Sequence, residues 1–256
     1  MKLSKDIFCF GCSWTYCYGI PTEQSWPSYL QSKLSEYTVH NLGTPGMDNR
    51  HIIHSVFQCI QDSIPEIVIL QLTSLDRFAY GVGGFRSFLQ EGLDRKEHIN
   101  YAYHLLRSNQ YNYLGSVDNK PAEDVTEIIQ SLSLNKEHVD AFLKFHHENI
   151  TYDLYNQENV LIGIITLIKF LESLGVKVYV FPYAEEGWTD TDEINGIIST
   201  SKFSKYLPQT YFFKEPFLKW MISQYGHKHF IDNGFHLSKE GCEILVDQYL
   251  LPNIVI

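Results

Sequence analysis

Two segments far apart in the sequence hold side chains suited to nucleophilic catalysis. Ser13 follows Gly11 and Cys12 directly after a short apolar run. A serine on such a tight turn presents its hydroxyl close to a helix N-terminus, which stabilises negative charge. Asp232 lies four residues before His236, so the acid can orient one imidazole nitrogen while the other faces a serine. The competing interpretations are a turn or capping serine and a surface histidine.

Two further segments predict polar groups beside this pair. The stretch 41–49 holds Gly43 and Gly46, whose tight turn leaves backbone N–H groups available for part of an oxyanion hole. Thr73 and Ser74 follow the next apolar run and bring hydroxyl groups to the same place. Either stretch can also be an ordinary loop that caps a helix.

Alternating apolar runs and amphipathic segments predict the elements that position these residues. Continuous apolar runs predict strands at 7–10, 38–42, 66–72 and 176–183, and a short fifth strand is expected at 229–231. Helical spacing predicts helices at 25–37, 49–60, 158–174, 213–225 and 237–250. This alternation is typical of a parallel sheet covered by helices on both faces, and ligands bind at the carboxyl edge of such a sheet.

The stretch 78–156 fits this alternation less well. It contains several glycines, many tyrosines and weak helical patterns, the clearest at 125–132 and 138–147. We therefore expect one domain over residues 1–256, with an insertion of helices and loops at about 78–156 after the third strand.

Taken together, these motifs resemble the SGNH, or GDSL-type, hydrolase family. The resemblance rests on Phe-Gly-Cys-Ser-Trp-Thr at 10–15, Asn-x-Gly-x-x-Gly at 41–46 and Asp-x-Gly-Phe-His-Leu-Ser-x-x-Gly at 232–241. It implies a three-layer αβα sandwich with a five-stranded parallel sheet of flavodoxin-like order. It also implies hydrolysis of a carboxylic ester, with Ser13 as nucleophile and His236 as general base. Gly46 and the Ser13 backbone N–H would be the oxyanion donors, and no cofactor or metal is needed.

The sequence departs from the family pattern at three positions. Cys12 stands where the family usually has an aspartate, and Leu75 stands where it usually has an oxyanion-donating asparagine. We expect Asn49, Thr73 or Ser74 to replace that donor, with Asn49 preferred. The family acid lies three residues before the histidine, which is Asn233 here, and we favour Asp232 over Asn233 as the partner of His236.

Composition narrows the classes of partner. The 256 residues carry a formal charge of −10, which argues against binding to nucleic acids or anionic membranes. The sequence shows no signal peptide and no membrane-spanning segment, so we expect a cytoplasmic protein acting on a small-molecule, glycan or lipid ester. The acyl group, the alcohol and the oligomeric state have no signature in the sequence.

Three other hypotheses stay open at this point. The same serine and histidine can transfer an acyl group to an alcohol instead of water, or the fold can serve as a non-catalytic binding domain. The five cysteines are an odd number and do not suggest a disulfide framework, so we expect buried thiols. Cys12 or Cys17 is the alternative nucleophile, because a thiolate near a helix N-terminus is activated.

Overall fold

A parallel sheet organises the larger of two compact units in the computed structural model. The structure describes residues 3–45, 47–73, 75, 78–82, 102–106, 154–183, 196–207, 215–231 and 236–254. The larger unit contains Met1–Leu75 and Glu158–Ile256, and the smaller unit is Asp76–Gln157. The candidate catalytic and oxyanion residues named above all belong to the larger unit.

Four strands form this sheet in the order β2-β1-β3-β6, all parallel. Their bounds are β1 Ser4–Gly11, β2 Thr38–Gly43, β3 Pro65–Leu72 and β6 Lys177–Pro182. Phe10 at the centre pairs with Leu42 on one side and Leu70 on the other. The inner strands are buried from Ile7 to Gly11 and from Ile67 to Leu72, as continuous apolar runs predict. The α/β class, the four main strands and their flavodoxin-like order are therefore confirmed.

Seven α-helices accompany the strands in the described parts of the chain. They are α1 Ser13–Tyr16, α2 Trp26–Lys33, α3 Asn49–Cys59, α4 Leu154–Ser173, α5 Ile197–Thr200, α6 Phe217–Tyr225 and α7 Lys239–Ile244. A π-helical segment, Leu245–Leu250, continues α7. None of the helices in these described ranges combines the length and apolarity needed to cross a bilayer.

The helices pack in two groups. Right-handed crossovers in this strand order place α2 on one face of the sheet and α3 and α4 on the other. Side-chain contacts agree with this arrangement. Phe57 of α3 and Phe170 of α4 have ring centroids 5.5 Å apart, while Tyr29 of α2 donates a hydrogen bond to Asp247 after α7. Helices therefore lie on both faces of the sheet.

Polar side chains begin three of these helices. Ser25 accepts a hydrogen bond from the Ser28 N–H at the start of α2, and Asp48 accepts one from the His51 N–H at the start of α3. Ser238 accepts one from the Gly241 N–H at the start of α7. These caps satisfy backbone donors that have no partner within the helix.

The prediction of a fifth strand in the parallel sheet is wrong. Within the described residues the parallel sheet has four strands, and the segment 229–231 instead forms a local antiparallel bridge between Phe230 and Leu237. The Ile231 N–H donates to the His236 carbonyl, and the Ser238 N–H donates to the His229 carbonyl, both at 2.9 Å. These backbone groups pair with the following segment and so do not extend the sheet.

The smaller unit contains a pair of strands that the sequence did not predict. β4 (Phe78–Val82) and β5 (Ala102–Leu106) are antiparallel, with Tyr80 opposite His104. The helices predicted at 125–132 and 138–147 lie outside the described residues.

Helix α1 lies directly on the carboxyl ends of β1 and β2. A Cβ atom at Gly43 would overlap the Tyr16 backbone nitrogen and lie 2.7 Å from the Thr15 carbonyl carbon. A Cβ atom at Gly11 would lie 2.6 Å from Gln71 Oε1. Real Cβ atoms do not come so close to backbone, as at Gly43, or to tightly held side chains, as at Gly11, so glycine at both strand ends lets the four-residue helix pack onto the sheet.

We expect Gly43→Ala to lower the free energy of unfolding by about 1–3 kcal/mol, because the added methyl group meets backbone of α1 that cannot move aside. Gly163→Ala in α4 is the matched control, since its Cβ would meet only the flexible Ile53 Cδ1 at 3.2 Å. At that position alanine should stabilise the helix by up to about 1 kcal/mol, because alanine has a higher helix propensity than glycine. Urea denaturation measures both, and equal stabilities of the two variants would contradict the proposed close approach.

Candidate active site

The structure brings Ser13 and His236 into contact. The distance between His236 Nε2 and Ser13 Oγ is 3.0 Å, which is a hydrogen bond between residues 223 positions apart. Ser13 is the first residue of α1, directly beyond the carboxyl end of β1, and its side chain is buried. A serine hydroxyl bonded to an imidazole is the arrangement in which the ring can take the hydroxyl proton.

Backbone hydrogen bonds on both sides of a short loop hold His236. The antiparallel bridge between Phe230 and Leu237 closes this loop, and α7 begins three residues after His236. The half-buried imidazole therefore projects from a clamped segment toward Ser13. With Nε2 on the serine, Nδ1 is the nitrogen that an orienting acid would contact.

A buried amide that the sequence did not single out holds the turn that carries Ser13. Gln71, the penultimate residue of β3, has no solvent exposure. Its Oε1 accepts hydrogen bonds from the Cys12 N–H at 3.2 Å, the Cys12 thiol at 3.5 Å and the Thr15 hydroxyl at 3.1 Å. Its Nε2 donates to the Leu72 carbonyl at 2.7 Å. One side chain thus fixes the residues on both sides of Ser13 to the centre of the sheet.

Ring stacking anchors the other side of α1. Trp14 and Tyr183 are nearly parallel, with an interplanar angle of 14° and centroids 4.0 Å apart. Both rings are buried, and Tyr183 follows β6 directly. Ser13 therefore lies between two fixed residues, so its hydroxyl position is set by the packing of α1 against β3 and β6.

Asn49 joins the second and third loops of the predicted site. Its Oδ1 accepts from the Thr73 N–H and its Nδ2 donates to the Thr73 carbonyl, both at 2.9 Å. Both residues are buried. This reciprocal pair ties the start of α3 to the end of β3. Leu75, at the position of the family asparagine, is a buried apolar side chain.

Several predicted site residues lie outside the described residues. They are Gly46, Ser74, Asp232 and Asn233. The oxyanion roles of Gly46, Asn49, Thr73 and Ser74, and the choice between Asp232 and Asn233, therefore stay predictions.

The cysteines near Ser13 are buried among other contacts. The Cys12 thiol donates to Gln71, and the Cys17 thiol donates to the Trp14 carbonyl at 3.3 Å. Cys17 Sγ also lies 3.5 Å from Cys242 Sγ in α7, and this hydrogen bond together with burial raises the pKa of Cys242. His236 contacts the serine hydroxyl, so the geometry favours Ser13 over Cys12 or Cys17 as nucleophile.

The described residues contain no group of three or more histidine, cysteine or acidic side chains placed to hold a metal ion. The chemistry available from the described side chains at this site is that of a hydroxyl, an imidazole and the amides that position them.

No family model matches the chain, and no curated protein matches it. Among solved structures, it is similar to TesA at 10% identity with a TM-score of 0.44, covering 97% of this chain and 99% of that one. It is also similar to AlinE4, described as an SGNH-hydrolase family esterase, at 14% identity and a TM-score of 0.45, covering 96% and 93%.

A third similar structure is described as a putative lipolytic protein of the G-D-S-L family from Desulfitobacterium hafniense DCB-2. It has 13% identity and a TM-score of 0.30, and the alignment covers 94% of this chain and 95% of that one. These likenesses are weak.

Gln71→Met removes the amide while keeping the side-chain length. We expect it to slow the reaction of Ser13 with a fluorophosphonate probe by about 10²-fold, because the serine turn loses its common acceptor and shifts. The free energy of unfolding should also fall by about 1–3 kcal/mol, since buried donors lose their partner.

Gln31→Met is the matched control for this variant. Both polar atoms of the Gln31 amide also bond to backbone. Its Oε1 accepts from the Val39 N–H at 2.7 Å, and its Nε2 donates to the Tyr37 carbonyl at 2.8 Å. We expect it to lose stability while the probe reaction at Ser13 keeps its rate. Equal slowing in both variants would show that Gln71 acts only through stability.

Proposed function

We propose that this protein is a serine hydrolase of carboxylic esters. The single observation that carries the proposal is the hydrogen bond between Ser13 Oγ and His236 Nε2 at the carboxyl edge of the parallel sheet. The resemblance of three sequence motifs to SGNH hydrolases points to the same chemistry. Such a pair serves acyl transfer, in which the imidazole activates a hydroxyl that is otherwise a weak nucleophile.

The first half of the reaction forms an acyl-enzyme. Ser13 Oγ attacks the ester carbonyl carbon while His236 Nε2 takes the hydroxyl proton. The negative oxygen of the tetrahedral intermediate would accept hydrogen bonds from the Ser13 and Gly46 N–H groups, with a further donor among Asn49, Thr73 and Ser74. The imidazolium then gives its proton to the alcohol oxygen, the bond from the carbonyl carbon to that oxygen breaks, and the alcohol leaves.

The second half releases the acid. Water attacks the acyl carbon and gives a proton to His236, which returns it to Ser13 Oγ as the carboxylic acid departs. If an acceptor alcohol replaces water in this step, the protein is an acyltransferase with the same residues. In both cases Asp232 would hold His236 Nδ1 and stabilise the imidazolium.

The hydrogen bond also supports catalysis over a non-catalytic binding domain. A domain that only binds a ligand does not need an imidazole aligned with a buried hydroxyl across such a long stretch of chain. Three buried hydrogen bonds to Gln71 hold the serine turn, so the polar groups are kept in place although this requires a buried amide.

Labelling with a fluorophosphonate probe, read by intact mass, tests this proposal. We expect one adduct on the wild type and none on Ser13→Ala. Cys12→Ala should retain the adduct, which separates a serine nucleophile from a thiol at the neighbouring position. Ester turnover should fall by about 10⁶-fold in Ser13→Ala and in His236→Ala. Folded wild-type protein that gives no adduct would favour the binding domain.

A comparison of Asp232→Ala with Asn233→Ala tests the choice of orienting residue. We expect Asp232→Ala to lower kcat for ester hydrolysis by about 10⁴-fold, because the imidazole loses both its fixed tautomer and a charge that stabilises the imidazolium. Asn233→Ala should change kcat only a few-fold. The reverse ranking would assign the role to Asn233. Steady-state kinetics on one activated ester measures both.

A further inference from the structure

Two apolar side chains are exposed beside the Ser13–His236 pair. Tyr18 is 57% exposed, and its ring lies 5.5 Å from the His236 ring, centroid to centroid, at an angle of 50°. Ile231 is 43% exposed and begins the loop that leads to His236. Single exposed apolar residues are ordinary on protein surfaces, but here one lies beside the His236 ring and the other is bonded through its backbone to the same histidine. We call Tyr18 and Ile231 the apolar lip.

The Ile231 side chain packs against the chain next to Tyr18. The Ile231 Cδ1 atom occupies the space where a Cβ of Gly19 would be, so its side chain packs over the residue that follows Tyr18. Gly19 has a φ of +91°, which any residue with a side chain rarely adopts. The absent side chain at Gly19 therefore lets Ile231 approach the Tyr18 turn.

Backbone hydrogen bonds fix the apolar lip relative to the reacting atoms. The Tyr18 N–H donates to the Ser13 carbonyl at 3.0 Å, and the Ile231 N–H donates to the His236 carbonyl at 2.9 Å. Between Ser13 and Tyr18, Cys17 adopts a left-handed conformation with a φ of 61°, which turns the chain so that Tyr18 faces solvent. Each lip residue is thus bonded directly to one member of the pair.

The position of His236 in the mechanism says which part of an ester this surface would meet. The imidazole gives its proton to the leaving alcohol oxygen, so the alcohol has to lie alongside the ring when the tetrahedral intermediate collapses. Tyr18 is a neighbour of that ring. An aromatic face and an aliphatic side chain offer dispersion contacts and burial to an apolar group.

We propose that Tyr18 and Ile231 form the alcohol subsite and select esters whose alcohol carries an apolar, preferably aromatic, group. This inference rests on the ester hydrolysis proposed above. It assigns the apolar lip to the leaving group and not to the acyl chain. Alcohol preference and acyl preference therefore depend on different residues.

Two matched ester series test the assignment. The alcohol series compares ethyl acetate with 2-phenylethyl acetate, which release alcohols of similar basicity and form the same acetyl-enzyme. The ratio of their kcat/KM values therefore reports acylation and contact with the alcohol. The acyl series compares ethyl acetate with ethyl 3-phenylpropanoate, which places the phenyl group on the acid side.

We expect Tyr18→Ser to lower the ratio of kcat/KM for 2-phenylethyl acetate to that for ethyl acetate by about 10-fold, while the ratio within the acyl series stays near its wild-type value. Tyr18→Phe should restore the wild-type ratio, and Ile231→Ala should lower it by a smaller factor. Tyr206→Ala is the control, because Tyr206 is similarly exposed, at 54%, in a separate turn at Ser204–Tyr206. The rate of the fluorophosphonate reaction at Ser13 checks that each variant keeps an intact pair.

The outcomes separate the two levels of the proposal. A loss confined to the acyl series, an equal loss in both series, or unchanged ratios in an active Tyr18→Ser variant would each overturn the alcohol subsite and leave ester hydrolysis standing. A folded wild type that turns over none of these esters and gives no probe adduct would overturn the proposed function, and the subsite with it.

Discussion

The hydrogen bond between Ser13 Oγ and His236 Nε2 joins two segments that are 223 positions apart, and much of the described structure serves to keep them together. Functional groups have to be held to within roughly 0.5 Å for catalysis. One end of this bond rests on the centre of the sheet through Gln71, and the other rests on the bridge between Phe230 and Leu237. The parallel sheet thus supplies a rigid reference for the serine end.

Contacts between the N-terminal and C-terminal parts of the larger unit also support that hydrogen bond. Cys17, just after α1, touches Cys242 in α7 at 3.5 Å between sulfur atoms. Asp247, farther along the same helical segment, pairs with Lys33 at 2.9 Å and accepts from Tyr29 in α2. The buried thiol contact is shielded from solvent, whereas the partly exposed ion pair contributes little. Packing of α7 and the segment after it against α2 and the residue after α1 therefore ties the His236 side of the site to the serine side.

The parts of the fold and the candidate site that the sequence could predict are those that leave a local pattern in it. The four strands were predictable because each is a continuous apolar run, and Ser13 and His236 were predictable from motifs that follow strands or precede helices. The segment 229–231 was misread as a strand because three residues cannot distinguish a sheet edge from a local bridge. The β4–β5 pair was missed because glycine and tyrosine obscure its alternation.

The contacts that hold the site were harder to foresee, since side-chain-to-backbone bonds between distant segments have no periodicity. Asn49 and Thr73 are 24 positions apart, and Asn49 could be placed near the site but not paired. Gln71 did leave a signal. It is a polar residue inside the apolar run from Ile67 to Leu72, and a buried polar side chain in such a strand has to find partners.

The identity of residue 12 follows from that partner. Three donors converge on Gln71 Oε1, and two of them belong to Cys12, its N–H and its thiol. An aspartate at position 12 would place a carboxylate against this carbonyl oxygen, where two acceptors face each other without a proton between them. A thiol donates instead, and it is small enough to remain buried beside Thr15. Cys12 and Gln71 therefore act as a pair, in which a weak donor and a neutral acceptor hold the serine turn without a buried charge.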